Sequence, residues 1–299
     1  MTTAIMTSKD DFRDLDQLRE YLATQLRQGR LTLILGAGIS IPFALPDWVL
    51  LIKRLYSTKH VKPTKDTPAN LAEHFRATYY KNNSPGFLKA VRKALYGGVK
   101  VDFDILRRNK TLVGIGSLIM ASRRGSTSDV YTFNFDNLLE LYLEYHGFVT
   151  ASLYNDRFWG GYADAKIFHP HGMLPFDASI APSKDIVFDQ ASYSAVVGKE
   201  NNPWRQRILT SMRANTCLFI GLSGRDMNLD SLLYSVKDHH ASLDQNTAYW
   251  GVTFSTAGDA VARTRWQERG IFYHQIKNYD DDLPGFLFGV CQEAARKSK

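Results

Sequence analysis

Residues 31–48 read LTLILGAGISIPFALPDW. The stretch Leu31–Leu35 is almost wholly apolar, which is typical of a parallel strand that helices cover on both faces. It ends in the Gly-Ala-Gly of residues 36–38, where the lack of side chains lets the chain turn sharply and lets a phosphate approach the main-chain N–H groups. A tight strand-to-helix turn without any ligand fits the same residues. The dehydrogenase fingerprint is incomplete, because Ile41 stands where its third glycine belongs.

Strand-like and helical patterns alternate along the rest of the chain. A helical spacing of apolar residues covers 14–28, and the stretch from 47 to about 125 is mostly helical. The alternation predicts an α/β fold, namely a Rossmann-like, doubly wound parallel sheet with a helical insertion after the first strand, in a single domain over 1–299. The later predicted strands are 129–134, 166–171, 216–222, 247–254 and 271–276, and the later predicted helices are 137–146, 203–214, 228–240, 257–270 and 283–297.

The overall composition favours a globular protein of the cytoplasm. Hydrophobic residues make up 44% of the 299 residues and charged residues 22%, which suits a chain with a substantial core. We find no apolar stretch of 18 residues that would span a membrane, and the N-terminus lacks the pattern of a secretory signal. Of the two cysteines, Cys217 lies in an apolar run and is expected in the core. Cys217 and Cys291 cannot form a four-cysteine zinc site, and their small number favours a reducing compartment.

Positive charge is concentrated in one region. Between Lys53 and Lys110 the chain has 14 Lys or Arg against four acidic residues, a net charge of +10 in a protein whose total is +7. Such a region fits contact with nucleic acid or with an acidic partner. It equally fits a solvated helical surface with no particular partner. The sequence leaves both interpretations open.

The ends of the predicted strands contain the candidate site residues. In a doubly wound sheet, ligands bind outside the carboxyl ends of the strands at the topological switch point. An Asn there donates and accepts hydrogen bonds at once, and a His titrates near neutral pH. The alternatives are helix capping by Asn134 and Asp136, and a purely structural role for a histidine. The strand-end segments are Gly36–Ser40, Asn134–Asp136, His169–Gly172 and Gly221–Asp226.

The first of these segments resembles the signature of the sirtuin family. Sirtuins have GAGIS, three residues, then G-I-P-D-F, and this chain has GAGIS, three residues, then A-L-P-D-W. Ala44 replaces a glycine of the signature, and Val49 stands where sirtuins have an arginine. The resemblance implies that the segment binds NAD. It places Gly36, Ala37, Gly38 and Ser40 on the cofactor, and Asp47 and Trp48 beside the scissile bond.

The other three segments match sirtuin motifs in the same order. Residues 132–136, TFNFD, resemble T-Q-N-x-D with Phe133 in place of the glutamine, and His171-Gly172 resembles the dipeptide that holds the general base. His169 is the rival histidine, and the adjacent glycine favours His171. Residues 221–228 resemble the G-x-S-x-x-D-x-N loop that holds the adenosine ribose in a bacterial sirtuin-like branch. The implied binding residues are Asp136, Gly221, Ser223 and Asp226, although Ser223 and Asp226 also fit a capped helix start. A weaker similarity ends at Tyr193, for which packing is the expected role.

The ordered set of motifs most resembles the sirtuin-like NAD-consuming proteins of bacterial antiphage defence. The resemblance implies an NAD hydrolase in which Asn134 positions the ribose and a water, while His171 accepts the proton. NAD would be the substrate, and no zinc would be bound because the four cysteines of the deacetylase branch are missing. We further expect control by a separate sensor protein or by self-assembly, with the basic region as a docking surface. The alternatives are an NAD-dependent protein deacylase and a non-catalytic sensor of NAD or ADP-ribose.

Overall fold

The computed structural model contains a parallel sheet with helices on both faces. It describes residues 8–120, 125–155, 161–195, 199–224, 227–242, 248–256 and 258–296. Within these residues the strands are β1 (Leu31–Leu35), β2 (Val130–Thr132), β3 (Thr150–Leu153), β4 (Ala165–Phe168), β5 (Thr216–Ile220), β6 (Gly251–Ser255) and β7 (Ile271–Gln275). The α-helices are α1 (Leu15–Arg27), α2 (Trp48–Ser57), α3 (Pro68–Tyr80), α4 (Ser84–Tyr96), α5 (Phe103–Arg108), α6 (Lys110–Ile119), α7 (Leu138–Tyr145), α8 (Gln190–Tyr193), α9 (Pro203–Ala214), α10 (Met227–Ser242), α11 (Ala260–Glu268) and α12 (Asp282–Arg296).

The strand order is β3-β4-β2-β1-β5-β6-β7, and each pair of neighbouring strands is parallel. The chain builds the β2 side of β1 first and then crosses to the β5 side. The topological switch therefore lies at β1 and β5, where Leu35 is in register with Ile220. In a doubly wound sheet the crevice for a ligand opens at this point. The predicted fold class is confirmed.

The alternation of side chains along β1 divides the core into two clusters. Leu31, Leu33 and Leu35 face a cluster that includes apolar residues of α1, α6, α7 and α12. Ile34 faces the opposite cluster, which includes residues of α9, α10 and α11. Because successive strand side chains point to opposite faces, an apolar run covered on both sides is what this strand requires. All five residues of β1 are buried.

Five helices, α2 to α6, lie between β1 and β2, as predicted for the insertion. Part of this segment is built into the main core, since α6 packs against α12 and against α7. Helices α2, α3 and α4 pack against one another, and their buried side chains belong to the same core cluster. We call residues 48–96 the helical lobe. The prediction of a single domain over the whole chain stays a prediction.

Most predicted elements agree with the structure within a few residues. The helix at 203–214 and the strand at 31–35 have the predicted bounds. The sequence analysis missed β3, an edge strand whose TASL sequence is short and only partly buried. It also began β6 four residues early, at 247 instead of Gly251. Within the described residues, no helix is long and apolar enough to cross a membrane.

Candidate functional site

The loops after β1 and β5 touch each other at the switch point. The N–H of Gly36 donates to the carbonyl of Ile220, and the N–H of Gly38 donates to the carbonyl of Gly221, both at 2.9 Å. The chain then forms short 3-10 turns at Ala37–Ile39 and Ile41–Phe43 before α2 begins. The N–H groups of Ile39 and Ser40 donate to the carbonyls of Gly36 and Ala37, so four of the five N–H groups in residues 36–40 already have protein partners. Gly38 itself is exposed at the surface of the loop.

The close approach of these two loops explains the glycines. A Cβ atom at Gly38 would lie 2.6 Å from the Cα of Gly221, and one at Gly36 would lie 2.4 Å from a side-chain carbon of Leu222. Gly221 has a φ of +75°, a conformation that residues with a side chain rarely adopt. The bare backbone thus serves contact between two loops. This requirement is independent of any role in phosphate binding.

Asn134, at the end of β2, reaches across to the first loop. Its side-chain nitrogen Nδ2 donates to the carbonyl of Gly36 at 3.2 Å and to Oγ of Ser40 at 3.1 Å. Because a carbonyl only accepts hydrogen bonds, the contact with Gly36 identifies this atom as the nitrogen. Within the described part of the chain, we find no hydrogen bond to the amide oxygen Oδ1. This oxygen is the acceptor that Asn134 offers to a ligand.

A chain of hydrogen bonds continues from Asn134 through Ser40 to Asp136. Oγ of Ser40 donates to Oδ2 of Asp136 at 2.9 Å, and Oδ1 of Asp136 accepts the N–H of Leu138 at 3.2 Å. Asp136 therefore also serves the start of α7, as the capping alternative predicted. Burial raises the pKa of Asp136 to about 6, although the bonds from Ser40 and Leu138 oppose the rise. Desolvation favours the neutral acid, whereas the bond from Ser40 requires an acceptor.

His171 follows β4 in a tight turn. The N–H of Gly172 donates to the carbonyl of His169 at 2.9 Å, and Gly172 has a φ of +86°. A Cβ at Gly172 would lie 2.9 Å from the carbonyl oxygen of Asp185, so the turn requires glycine. The imidazole of His171 packs edge-on against the ring of Phe133, with ring centroids 4.9 Å apart. This contact brings His171 beside the Asn134 loop.

The two histidines of this segment have different surroundings. His171 is 8% exposed and also lies edge-on to Tyr193 at 6.4 Å. His169 is 0% exposed, and its Nε2 lies 2.5 Å from Oε1 of the buried Glu140. A fully enclosed imidazole has no access to a substrate. Of the two, His171 is the more accessible histidine.

The remaining predicted residues lie around this centre or outside it. Ala37 accepts the N–H of Ser40 within the first loop. The exposed carboxylate of Asp47 accepts the N–H of Leu50 at 2.7 Å and so caps α2. Trp48 packs edge-on against Phe188 at 4.8 Å, and no described contact joins it to Asn134. Ser223 is exposed on the loop after β5. Asp226 lies outside the described residues.

The helical lobe holds the segment that follows His171. Arg92 donates to the carbonyls of Pro175 and Phe176, and the hydroxyl of Tyr96 donates to the carbonyl of Leu174 at 2.7 Å. Burial raises the pKa of Tyr96 well above its usual value, and the carboxyl groups of Asp136 and Glu140 add to the rise. The phenol therefore stays a hydrogen-bond donor. Another lobe residue, Arg76, forms ion pairs with Asp185 and Asp189 at 2.8 and 3.3 Å.

Through these contacts, some basic side chains of the basic region bind other groups of the protein itself. Arg54 likewise donates to the main-chain carbonyls of Ala94 and Ala44, and Lys110 pairs with Asp281 at 2.6 Å. The remaining surface still has an excess of positive charge. The exposed cations in the range 53–108 that form no ion pair with any described residue are Lys53, Lys62, Lys65, Lys81, Lys89, Lys93, Lys100 and Arg108.

Two supporting residues were not predicted from the sequence. Arg269 is 3% exposed, forms an ion pair with Asp230, and donates to the carbonyl of Gly224 at 3.2 Å. It therefore anchors the loop after β5. Glu140 is the buried partner of His169. Both are ordinary charged residues within helical or loop patterns, and the sequence has no signal that marks them as buried.

The described residues contain no group of three or more His, Cys, Asp or Glu that would hold a metal ion. Cys217 is buried in β5, as expected, and burial raises the pKa of its thiol far above the usual value. The described polar groups of the site are thus an amide, an imidazole, hydroxyls, a carboxyl and main-chain groups. Such groups suit the hydroxyls and phosphates of a nucleotide.

Comparison with known proteins supports the sirtuin-like resemblance. A family profile described as SIR2-like domain matches residues 128–274. This range contains Asn134, His171 and Gly221, whereas the glycine loop after β1 lies outside it. Comparison with curated proteins finds no match.

Two solved structures of Sir2 proteins resemble the chain over nearly its whole length. The crystal structure of a Sir2 homolog–NAD complex aligns with a TM-score of 0.51 at 12% identity, covering 94% of this chain and 95% of the other. A structure from a study of the mechanism and regulation of Sir2 enzymes has a TM-score of 0.49 at 13% identity, covering 95% and 98%. At an identity of 12%, the first similarity shows a shared fold.

Proposed function

We propose that this protein is an NAD hydrolase that cleaves the bond between nicotinamide and ribose, releasing nicotinamide and ADP-ribose. The observation that carries the proposal is the arrangement of Asn134. Its amide nitrogen is bound to Gly36 and Ser40, and its oxygen remains as an acceptor at the switch point, next to the loop that holds His171. The match to a SIR2-like domain and the similarity to a Sir2 homolog bound to NAD support the choice of ligand.

Cleavage of the bond between nicotinamide and ribose requires little acid catalysis from the protein. Nicotinamide leaves as a neutral ring, and the ribose develops the character of an oxocarbenium ion, as in glycoside cleavage. The oxygen of Asn134 accepts a hydrogen bond from a ribose hydroxyl or from the attacking water. A bond forms between the water oxygen and the anomeric carbon as the bond to nicotinamide breaks, and the water proton passes to His171. Asn134 and His171 are the proposed catalytic residues.

The two touching loops are the proposed binding elements for the rest of the dinucleotide. The loop 36–40 would hold the phosphates, and Gly221 and Ser223 would lie toward the adenosine. The N–H groups of Gly36 and Gly38 bind carbonyls of the neighbouring segment, and those of Ile39 and Ser40 bind carbonyls within the loop. We therefore propose that the phosphates contact the N–H of Ala37, for which the described residues provide no main-chain acceptor. Roles for Asp47, Trp48 and Asp226 at the cofactor stay predictions from the sequence resemblance.

Incubation of the purified full chain with NAD, followed by chromatography for free nicotinamide, tests the proposal. His171→Ala should lower turnover by about 10²- to 10⁴-fold, the usual range for loss of a general base, without unfolding the protein. Asn134→Ala should be similarly severe. His146→Ala is the matched control, because that histidine is exposed at the end of α7 and contacts Phe103 away from the site.

The same assay distinguishes the alternatives. A deacylase would consume NAD only with an acylated peptide, and a non-catalytic sensor would bind NAD and release no nicotinamide. Wild-type turnover by His171→Ala would remove that residue from the mechanism. Binding without turnover by the wild type would favour the sensor. A deacylase or transferase would instead release nicotinamide at a rate that depends on the acceptor.

We further propose that a separate partner protein or self-assembly controls the activity, since unregulated loss of NAD would harm the cell that makes the enzyme. A role as a toxic effector in antiphage defence rests on the sequence resemblance. The exposed lysines of the basic region are the proposed docking surface for the partner or for nucleic acid. NAD consumption measured with and without the product of a neighbouring gene tests this control, and full activity of the isolated monomer would contradict it.

A further inference from the structure

A buried acid–base pair lies directly behind Asn134. Glu140 on α7 and His169 after β4 are 2% and 0% exposed, and Nε2 of His169 lies 2.5 Å from Oε1 of Glu140. The hydroxyl of Ser152 on β3 donates to the same Oε1 at 3.0 Å. The pair thus connects three elements of the sheet edge. Neither side chain has the exposure needed to contact a substrate.

The geometry determines which ring nitrogen of His169 bears a proton toward Asn134. Nδ1 lies 3.4 Å from the main-chain carbonyl oxygen of Asn134. A carbonyl only accepts, so this contact requires a hydrogen on Nδ1. A second proton lies between Nε2 and Oε1 of Glu140, whichever of the two atoms it is bonded to. Glu140 therefore fixes the rotation of the ring, with Nδ1 directed at Asn134.

Hydrogen bonds therefore hold both the main chain and the side chain of Asn134. His169 contacts its main-chain oxygen, the hydroxyl of Thr132 accepts its N–H at 3.2 Å, and Gly36 and Ser40 accept from its side-chain nitrogen. Together these contacts fix the direction in which its side-chain oxygen points. A displacement of about 1 Å in a positioning group costs roughly 10²-fold in rate.

We propose that Glu140 and His169 form a positioning pair that fixes the main chain of Asn134 and so sets where its side-chain oxygen meets the ribose and the attacking water. The inference rests on the proposed NAD hydrolysis. It gives His169 a role that differs from that of His171. His171 accepts the proton at the crevice, whereas His169 acts through Asn134 from within the core.

Glu140→Gln tests the pair, and Glu144→Gln is its matched control. Glu144 lies one turn further along α7, and its Oε1 accepts the hydroxyl of Thr150 on β3 at 2.5 Å. Both glutamates thus join α7 to β3, but only Glu140 contacts His169. Glu140→Gln should lower kcat for NAD by roughly 10- to 100-fold with KM changed less than about 2-fold. Glu144→Gln should leave both constants unchanged.

A double-substitution cycle separates positioning from general support of the fold. In an Asn134→Ala background, Glu140→Gln should cause little further loss of kcat, because the group that it positions is gone. Losses that multiply in the double variant would overturn the proposal. Equal losses in Glu140→Gln and Glu144→Gln would overturn it as well.

NMR provides a test that does not depend on turnover. The carbonyl ¹³C signal and side-chain amide signals of Asn134 should shift in Glu140→Gln and stay in place in Glu144→Gln. Unmoved signals in both variants would refute the positioning pair. If the Asn134 signals shift in Glu140→Gln as expected but the wild type releases no nicotinamide, the proposed hydrolysis is refuted and the positioning of Asn134 by the pair is still supported.

If Glu140→Gln does not fold, Ser152→Ala tests the contact between Glu140 and His169 with a smaller change. It removes one donor to Oε1 of Glu140 and changes no charge. We expect a kcat reduced by about 2- to 3-fold and a shifted imidazole ¹⁵N signal of His169. An unchanged ¹⁵N signal together with unchanged kcat would overturn the proposal.

Discussion

The buried carboxyl of Asp136 makes the stability of the protein depend on pH in a predictable direction. Burial raises its pKa from 3.8 to about 6 in the folded state. The folded protein therefore holds this proton more tightly than the unfolded chain does. As the pH rises from about 4, the unfolded chain ionises first, and the free energy of unfolding falls until the folded state ionises as well near pH 6.

The size of the effect follows from the shift in pKa. A shift of about two units, at about 1.4 kcal/mol per unit, corresponds to roughly 3 kcal/mol in full. Roughly 2.5 kcal/mol of it is lost between pH 4 and pH 7, because the unfolded carboxyl is already partly ionised at pH 4. Asp136→Asn has no ionisable group at this position. The free energy of unfolding of Asp136→Asn minus that of the wild type should therefore increase by about 2.5 kcal/mol over the same range.

Urea unfolding of both proteins at several pH values between 4 and 7 measures this difference. Only its change with pH matters, because the asparagine also alters the bond from Ser40 and shifts the absolute stability. Asp238→Asn, an exposed carboxyl on α10, is the control and should give a nearly flat difference. A difference for Asp136→Asn that is constant within about 0.5 kcal/mol, or that falls as the pH rises, would refute the assigned burial effect.

Three further substitutions test the loops around the site. Gly38→Ala should weaken nucleotide binding, measured by titration with ADP-ribose, because its Cβ would force the loop away from Gly221. Gly285→Ala is the control and should bind ADP-ribose like the wild type, because the space around its Cβ is open. Equal affinities of the two variants for ADP-ribose would contradict the loop contact. Ala44→Gly should raise the free energy of unfolding by about 0.5–1 kcal/mol, since Ala44 has a φ of +63°, and a loss of stability would count against strain there. Arg269→Ala should lower the free energy of unfolding by about 3 kcal/mol, because it leaves a carboxylate without its buried partner; a loss below about 1 kcal/mol would show that solvent replaces the pair.

The sequence predicts well what depends on local pattern. The apolar run Leu31–Leu35 and the helix at 203–214 have the predicted bounds because burial and helical spacing are properties of the segment itself. The strand β3 was missed because TASL is short and half-exposed, and pairs only at the edge of the sheet. Ala44 is also instructive. It replaces a glycine of the sirtuin signature and yet keeps a left-handed backbone.

Contacts between distant segments are what the sequence does not reveal. The glycines at 36 and 38 were interpreted through phosphate binding, but their immediate neighbour is Gly221, far along the chain. Glu140 looks like a surface residue of an amphipathic helix and is instead buried against His169. Each of these partners is defined only by the folded arrangement.

The central claim is that the ends of β1, β2, β4 and β5 form one nucleotide site in which Asn134 and His171 flank the reacting carbon. A crystal structure of the full chain with ADP-ribose tests it directly, because the 1′-hydroxyl of that product is the oxygen delivered by water. We predict this hydroxyl within about 2.6–3.2 Å of the His171 imidazole, or joined to it by one water, with the Asn134 oxygen bonded to the same ribose or water. A ribose bound far from both side chains would contradict the proposed function.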